Sequence, residues 1–209
     1  MSLFRARPSS ITSSMDDGAG ADIADEDLHP NVAILLGGTV AVALISALSL
    51  PWPIAIASTL LGALMIAGAD VDARVFLLPD IVTLGAAASG IIAAYALAPI
   101  DPLWSVADAA LQAAATAAVV GLVRWAYERW RGCEGLGFGD VKLAAAVGAW
   151  LPLEAIPLCF ALATGAALVA IIVARLRGQP IGATMKLPFG AFLCPALWLI
   201  FYVTVLSGT

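Results

Sequence analysis

The stretch IVTLGAAASGIIAAYALAPI, residues 81–100, contains no Asp, Glu, Lys or Arg. A helix needs about 20 apolar residues to cross the ~30 Å hydrocarbon core of a bilayer, because each residue adds about 1.5 Å. Three further runs of similar length are also free of charged residues and lie at residues 31–50, 52–69 and 187–207. The sequence therefore predicts several membrane-spanning helices.

The composition of the whole chain supports this prediction. Of its 209 residues, 62% are hydrophobic and 12% are charged, whereas a soluble domain is about half apolar and about a quarter charged. The short alternating strands of a membrane β-barrel are absent from the sequence. We expect an all-α, polytopic transmembrane helical bundle of about seven helices, with six as the alternative.

The choice between six and seven depends on residues 143–174, which carry one charged residue, Glu154. This segment is long for one untilted crossing and short for two. Pro152 and Pro157 interrupt it, and proline breaks or kinks a helix. We expect a break at residues 151–154, preceded by a short helix that begins around Gly139. The ends of so short a helix must be buried in protein or face a wet cavity.

Positive charge orients the predicted helices. The connections at residues 50–53, 99–103 and 150–154 contain no Lys or Arg. With these connections on one side of the membrane, all ten positive residues can lie on the other side. By the positive-inside rule, that side is the cytoplasm. These residues are Arg5, Arg7, Arg74, Arg124, Arg129, Arg131, Lys142, Arg175, Arg177 and Lys186. We expect Arg124, Arg129 and Arg131 to anchor the topology rather than to contact a substrate.

The first 30 residues differ in character from the rest. They hold six of the fifteen acidic residues and show no apolar period, so we expect residues 1–30 to be a disordered cytoplasmic tail. Residues 31–209 form the predicted transmembrane domain. The net charge of −5 indicates little about soluble partners, and no nucleic acid partner is expected.

Metal and disulfide chemistry have little support in the sequence. The three cysteines, Cys133, Cys159 and Cys194, form no CxxC pair, so neither a disulfide framework nor a four-cysteine zinc site is suggested. We expect Cys159 and Cys194 to be small packing residues. The one histidine, His29, lies in the tail. We predict no metal site and no cofactor.

Two carboxylates at predicted helix ends are the strongest candidates for chemistry. Asp72 lies in the segment DVDARVFLLPD, residues 70–80, and Asp140 lies in GLGFGDVKL, residues 135–143. Both segments lie on the predicted cytoplasmic side. Two carboxylates that share a partly dry site can hold one proton between them, so that one acts as an acid and the other as a base. Gly135, Gly137 and Gly139 would let a substrate backbone approach Asp140 and would allow unusual backbone angles.

Structural interpretations of the same residues remain open at this point. Asp70 and Asp72 can simply mark the end of a membrane span, and Asp80 and Asp140 can cap the helices that follow them. Asp108 and Gln112 lie one helical turn apart. We expect that pair to form a polar contact between helices.

Three segments in order resemble the motifs of the type IV prepilin leader peptidases. Residues 72–80, DARVFLLPD, are similar to a first motif in which an aspartate precedes a Leu-Pro or Ile-Pro pair followed by Asp or Asn. Residues 137–140, GFGD, look like the GxGD motif of intramembrane-type aspartyl proteases. Residues 187–193, LPFGAFL, resemble the Pro-Phe-Gly segment near the end of these enzymes. The resemblance covers about residues 55–205.

The resemblance implies an activity and roles for particular residues. It implies that Asp72 and Asp140 are the catalytic residues. Asp72 is selected over Asp70 because its distance from the proline matches the first motif. It implies cleavage of type IV prepilins or pseudopilins after a glycine, at the cytoplasmic face of the bacterial inner membrane, with substrate and membrane lipid as the partners. The resemblance also implies a substrate-positioning or structural role for six further residues, which are Asp80, Gly137, Gly139, Lys142, Pro188 and Gly190.

The chain departs from the long members of this family. Those members carry a cytoplasmic domain with paired CxxC motifs that is linked to N-methylation. Here the connection after the first run is only residues 50–53, and no CxxC is present. The resemblance is therefore to peptidase-only members, such as those of tight-adherence pilus systems, and methyltransferase activity is not expected. The rival hypotheses are a small ion-coupled transporter and a catalytically inactive assembly scaffold.

Overall fold

A computed structural model describes residues 30–132, 137–178 and 188–208. The described chain is helical, with seven helices, as the sequence predicts. They are α1 (Val32–Ser49), α2 (Trp52–Val75), α3 (Asp80–Leu97), α4 (Pro102–Arg131), α5 (Phe138–Trp150), α6 (Ile156–Leu176) and α7 (Gly190–Ser207). Within the described ranges, six of the seven are long and apolar enough to cross a membrane, and α5 is not one of these six.

The helix boundaries follow local sequence signals. Asn31 precedes α1, and its side-chain Oδ1 accepts a hydrogen bond from the backbone N–H of Ala33 at 3.0 Å, as a helix N-cap does. α2 ends where Phe76 adopts a left-handed conformation with φ of 59°. α4 ends at Gly132, which has φ of 67°, a conformation that glycine adopts without steric cost.

The short helix α5 lies inside the bundle. Seven of its thirteen residues are buried, and it packs mainly against α3 and α4. At its far end, the indole N–H of Trp150 donates a hydrogen bond of 2.7 Å to the buried carbonyl of Ala86 on α3. The ring of Trp150 also meets Phe201 edge to face at 5.1 Å. The predicted break lies at residues 151–155, between α5 and α6.

The contact between α4 and α5 is close because of one glycine. A β-carbon at Gly148 would collide with the backbone carbonyl of Gln112 and would lie 2.7 Å from the Thr116 hydroxyl. Gln112 also donates a 2.7 Å hydrogen bond from its side chain to Asp108, one turn earlier on the same helix. Asp108 is exposed on the outside of the bundle. The expectation that Asp108 and Gln112 form a polar contact between helices is therefore wrong, because they pair within α4.

Two cysteines are buried as expected. Cys159 on α6 and Cys194 on α7 are free thiols with no exposed surface, and both belong to the main hydrophobic core. Cys133 lies outside the described residues, as do the acidic tail up to His29, Gly135 and the positive residue Lys186. The predictions made for those positions remain predictions.

The ends of six helices meet at one end of the bundle. The backbone N–H of Asn31, before α1, donates to Asp70 near the end of α2 at 2.7 Å. Lys142 of α5 pairs with Asp80 of α3. Asp72 of α2 meets the first turn of α7, and Arg124 of α4 lies over the Phe138 ring that begins α5. This shared end carries both candidate catalytic aspartates.

Candidate active site

Asp72 lies in the last turn of α2 and is 5% exposed. Its Oδ2 accepts a hydrogen bond of 2.8 Å from the backbone N–H of Ala191, and the backbone of Gly190 also donates to the carboxylate. These two residues begin α7, and the first N–H groups of a helix have no partner within the helix. A carboxylate placed there is stabilised by the N–H groups and by the positive end of the helix dipole.

Asp140 is the third residue of α5 and is partly buried. Its Oδ2 accepts a 3.2 Å hydrogen bond from the backbone N–H of Gly137, the residue that precedes the helix. Asp140 therefore does help to cap α5, because it accepts this N–H as the acid of a capping box does.

Asp140 also interacts with Asp72. The pKa of Asp140 is raised from 3.8 to about 6, first by burial and second by the negative charge of Asp72, while the Gly137 hydrogen bond lowers it. This effect of one carboxyl group on the other means that the two groups lie within electrostatic range of each other. The structure therefore brings together the two aspartates that the sequence singled out, across 68 positions of chain.

Asp70 has a different environment from Asp72, although only one residue separates them. Its Oδ2 accepts from the Asn31 backbone at 2.7 Å and from the Arg74 guanidinium at 2.9 Å. Side chains of residues that are two positions apart on a helix point in directions that differ by about 200°. Asp70 therefore faces α1 while Asp72 faces α7. Asp70 ties α1 to α2.

Asp80 is the first residue of α3, but it does not cap that helix. Pro79 occupies the N-cap position, and no side chain provides a cap there. The Asp80 carboxylate instead forms an ion pair with the ammonium of Lys142 on α5. The expectation of an N-cap is therefore wrong, because the side chain points toward α5.

Phe138 lies beside this ion pair and was not singled out from the sequence. The Lys142 ammonium lies 5.1 Å from the centre of its ring, and the Arg124 guanidinium lies 5.5 Å from the same centre. Both distances are within the range of cation–π attraction. The spacing of Phe138 and Lys142, four positions apart on one helix, is the signal that could have indicated this contact.

The glycines act through their lack of a side chain. A β-carbon at Gly190 would lie 2.9 Å from Oδ2 of Asp72, so a larger residue would displace the carboxylate. Gly137 has φ of −69° and Gly139 lies within α5. Neither has the unusual backbone angle that was expected of this segment, because α5 begins at Phe138. Pro188, just before α7, is buried.

The contribution of Ala191 has no side-chain signature, because it acts through its backbone. The only indication in the sequence was that residues 188–191 lie at the start of an apolar run, where the free N–H groups of a helix are expected. Among the described residues, no group of three His, Cys, Asp or Glu side chains is placed to hold a metal ion.

Comparison with known proteins agrees with the motifs. A model of the Type IV leader peptidase family matches residues 59–174, which include Asp72 and Asp140. The leader peptidase HopD of Escherichia coli is 35% identical over 140 residues, which cover 66% of this chain and 86% of that protein. No solved structure matches the chain at a significant level.

Longer relatives match as well. A prepilin leader peptidase/N-methyltransferase of Burkholderia pseudomallei (strain K96243) is 35% identical over 170 residues, covering 79% of this chain and 51% of that protein. One from Aeromonas hydrophila is 32% identical over 168 residues, covering 79% and 55%. The chain thus spans about half the length of these two relatives. On the family match and the shared sequence with HopD, this multi-pass membrane protein belongs to the type IV leader peptidase family.

Proposed function

We propose that this chain is an aspartic endopeptidase that removes the leader from type IV prepilins or pseudopilins, cutting after a glycine at the cytoplasmic face of the inner membrane. The observation that carries the proposal is the pair of Asp72 and Asp140, with the pKa of Asp140 raised to about 6 by burial and by Asp72. The family match and the similarity to prepilin leader peptidases support the choice of substrate.

The proposed reaction uses the two carboxyl groups as one acid–base unit. A pair that shares one proton contains one carboxylate and one carboxylic acid. The carboxylate takes a proton from a water molecule, and the water oxygen forms a bond to the carbonyl carbon of the scissile peptide. The acid donates its proton to the carbonyl oxygen. When this tetrahedral species collapses, the C–N bond breaks and the leaving nitrogen receives a proton from the pair.

The place of the pair in the fold suits a substrate that is partly in the membrane. Asp72 lies in the last turn of a membrane-length helix, and Asp140 lies in the first turn of α5. If the leader lies outside the bilayer and the apolar helix of the substrate lies within it, the peptide bond that joins them lies at the level of the two carboxyl groups. Arg124, Arg129 and Arg131 at the same end of α4 favour the cytoplasmic side for the site.

The test is cleavage of a prepilin by membranes that contain the protein, followed by N-terminal sequencing of the product. We expect cleavage after glycine by the wild type and by Asp70→Asn, whose side chain ties α1 to α2. We expect none with Asp72→Asn or Asp140→Asn at equal protein levels. Cleavage that survives in either of these variants, or that is lost only with Asp70→Asn, would contradict the proposed pair.

The same product tests whether the chain also methylates. Several relatives have N-methyltransferase in their names, and this chain spans about half of each. Our proposal for this chain covers the peptidase reaction alone. Mass spectrometry of the new N-terminus, with S-adenosylmethionine supplied, should show an unmodified amine, and a methylated product would extend the proposal.

A further inference from the structure

Three glycines from three helices contact the side chain of Leu78. A β-carbon at Gly190 would lie 2.7 Å from its Cδ1, one at Gly139 would lie 3.0 Å from its Cβ, and one at Gly68 would lie 3.5 Å from its Cδ2. The first two distances are shorter than carbon atoms tolerate without movement. Leu78 therefore fills a socket that exists because Gly139 and Gly190 have no side chains, while Gly68 bounds it at an ordinary contact distance.

Each wall of this Leu78 socket adjoins a part of the active site. Gly68 lies one helical turn before Asp72 on α2. Gly139 immediately precedes Asp140 on α5. Gly190 begins α7 and adjoins Ala191, whose N–H donates to Asp72. A single leucine thus spaces the three helix segments that hold the two carboxylates.

The backbone on either side restricts the direction of the Leu78 side chain. Phe76 has φ of 59°, a left-handed conformation that is uncommon for a residue other than glycine. Pro79 follows Leu78 and disfavours helical angles at the residue before it. Residues 76–79 therefore make a short, stiff connection between α2 and α3. Leu77 in the same connection is 59% exposed, whereas Leu78 packs against the main core.

We propose that Leu78 is a positioning residue that sets the separation of the Asp72 and Asp140 carboxylates and excludes water from between them. This inference rests on the proposed function, because it concerns the geometry of that reaction. Shortening the side chain leaves the three helix segments without their spacer. A displacement of about 1 Å in an active site can reduce the rate about a hundredfold.

The test compares Leu78→Ala with Leu77→Ala, which makes the same substitution one residue earlier on the exposed side. We expect Leu78→Ala to lower kcat for prepilin cleavage by roughly tenfold to a hundredfold with less change in KM. We expect Leu77→Ala to match the wild type. Wild-type kcat in Leu78→Ala, or equal losses in the two variants, would overturn the proposal.

A second measurement separates positioning from simple loss of folded protein. Infrared titration of the Asp140 carboxyl in the purified protein should show its pKa falling from about 6 toward 3.8 in Leu78→Ala, because water would enter the site. A pKa that stays near 6 while activity falls with the amount of folded protein would indicate a structural role alone. If the wild type cuts no prepilin, the proposed function fails, and this titration still decides whether Leu78 controls the site.

A double-mutant cycle tests the socket directly. Gly139→Ala adds a methyl group 3.0 Å from the Leu78 β-carbon, an atom that alanine keeps and glycine lacks, so we expect its effect on kcat to be smaller when Leu78→Gly is already present. Gly139→Ala should lower kcat by the same factor in the Leu77→Ala background as in the wild type, because Leu77→Ala is itself expected to be neutral. Gly165→Ala is the matched glycine control, because nothing lies within 4 Å of an added β-carbon there. If Gly139→Ala lowers kcat by the same factor with and without Leu78→Gly, Gly139 and Leu78 act independently, which would contradict the socket.

Discussion

Asp72 accepts a hydrogen bond from the backbone N–H of Ala191, which lies 119 positions later in the chain. This bond joins the end of α2 to the start of α7 and gives Asp72 a structural part in addition to its proposed catalytic part. The two parts can be separated, because one needs an acceptor oxygen and the other needs a carboxyl group that can ionise.

We therefore expect Asp72→Asn and Asp72→Ala to differ in stability while both lose activity. The amide oxygen of asparagine can still accept a hydrogen bond from Ala191. The free energy of unfolding in detergent should therefore change by less than about 1 kcal/mol. Alanine leaves buried N–H groups unpaired, which costs about 1–3 kcal/mol. Thermal unfolding monitored by circular dichroism would measure this. Equal melting temperatures for the two variants would show that the hydrogen bond contributes nothing to stability.

The raised pKa of Asp140 predicts a contribution to the stability of the fold that is lost as the pH rises. In the folded protein the pKa is about 6, and the ordinary value is 3.8, so the folded state binds the proton more tightly. The stabilisation by this proton is complete below about pH 3.8 and is lost as the pH rises through 6, by about 3 kcal/mol at most. Asp140→Asn keeps an acceptor for Gly137 but does not ionise.

Asp140→Asn should consequently raise the melting temperature at pH 7.5 more than at pH 4.5, while prepilin cleavage is lost. Thermal unfolding of both proteins at the two pH values would measure the difference. Asp108→Asn is the matched control, because Asp108 is exposed and lies away from the pair. An equal change at both pH values would contradict the raised pKa.

The same carboxyl predicts the pH dependence of cleavage. The pair needs one proton to act as acid and base, so kcat/KM should fall as the pH rises above about 6 in the free enzyme. For kcat the fall should come at higher pH, because a bound substrate excludes more water and raises the pKa further. Steady-state rates of prepilin cleavage across the pH range would measure both. A kcat/KM that stays constant from pH 5 to pH 8 would be inconsistent with a shared proton.

The ion pair of Asp80 and Lys142 should affect activity more than stability. Its atoms are partly exposed, with the Asp80 side chain 66% exposed, and exposed pairs contribute about 0–1 kcal/mol. However, it joins the two segments that carry Asp72 and Asp140. We expect Lys142→Glu to reduce kcat by roughly tenfold. The double variant that exchanges the charges, Asp80→Lys with Lys142→Asp, should recover part of the loss.

Asp108→Asn provides the control for the ion pair, because it removes an exposed carboxylate that pairs with Gln112 on α4, away from both aspartate segments. Its cleavage rate should match the wild type. If the charge exchange is as inactive as Lys142→Glu alone, the contact does not act through attraction of opposite charges.

Gly148 and Gly165 predict opposite effects of the same substitution. A methyl group at Gly148 would collide with the backbone of Gln112 and with the Thr116 hydroxyl, and such overpacking costs about 1–3 kcal/mol. A methyl group at Gly165 meets nothing within 4 Å, and alanine favours a helix over glycine by up to about 1 kcal/mol. Thermal unfolding should show a lower melting temperature for Gly148→Ala and an unchanged or higher one for Gly165→Ala. Equal shifts in the same direction would indicate that α4 and α5 are not in close contact.

Much of the fold follows from signals that are local in the sequence. The length of an uncharged apolar run decides whether a helix can cross a bilayer, and proline decides where it must break. Together with the positive-inside rule, these two rules predicted seven helices, with six as the alternative, including the short α5 and the break before Ile156. The motifs identified Asp72 and Asp140 because their residue types and order are visible without a structure.

The partners of those residues were decided only by the tertiary structure. Asp80 follows a proline at a helix start, which is typical of a cap, yet it pairs with Lys142 because α3 and α5 begin side by side. The donor to Asp72 is a backbone group, and the socket around Leu78 consists of glycines from three helices. Such contacts depend on how helices distant in the chain approach each other, and a local sequence pattern carries no information about that distance. The sequence by itself determined the helices and the two carboxyl groups, and the packing of the helices determined what each carboxyl group touches.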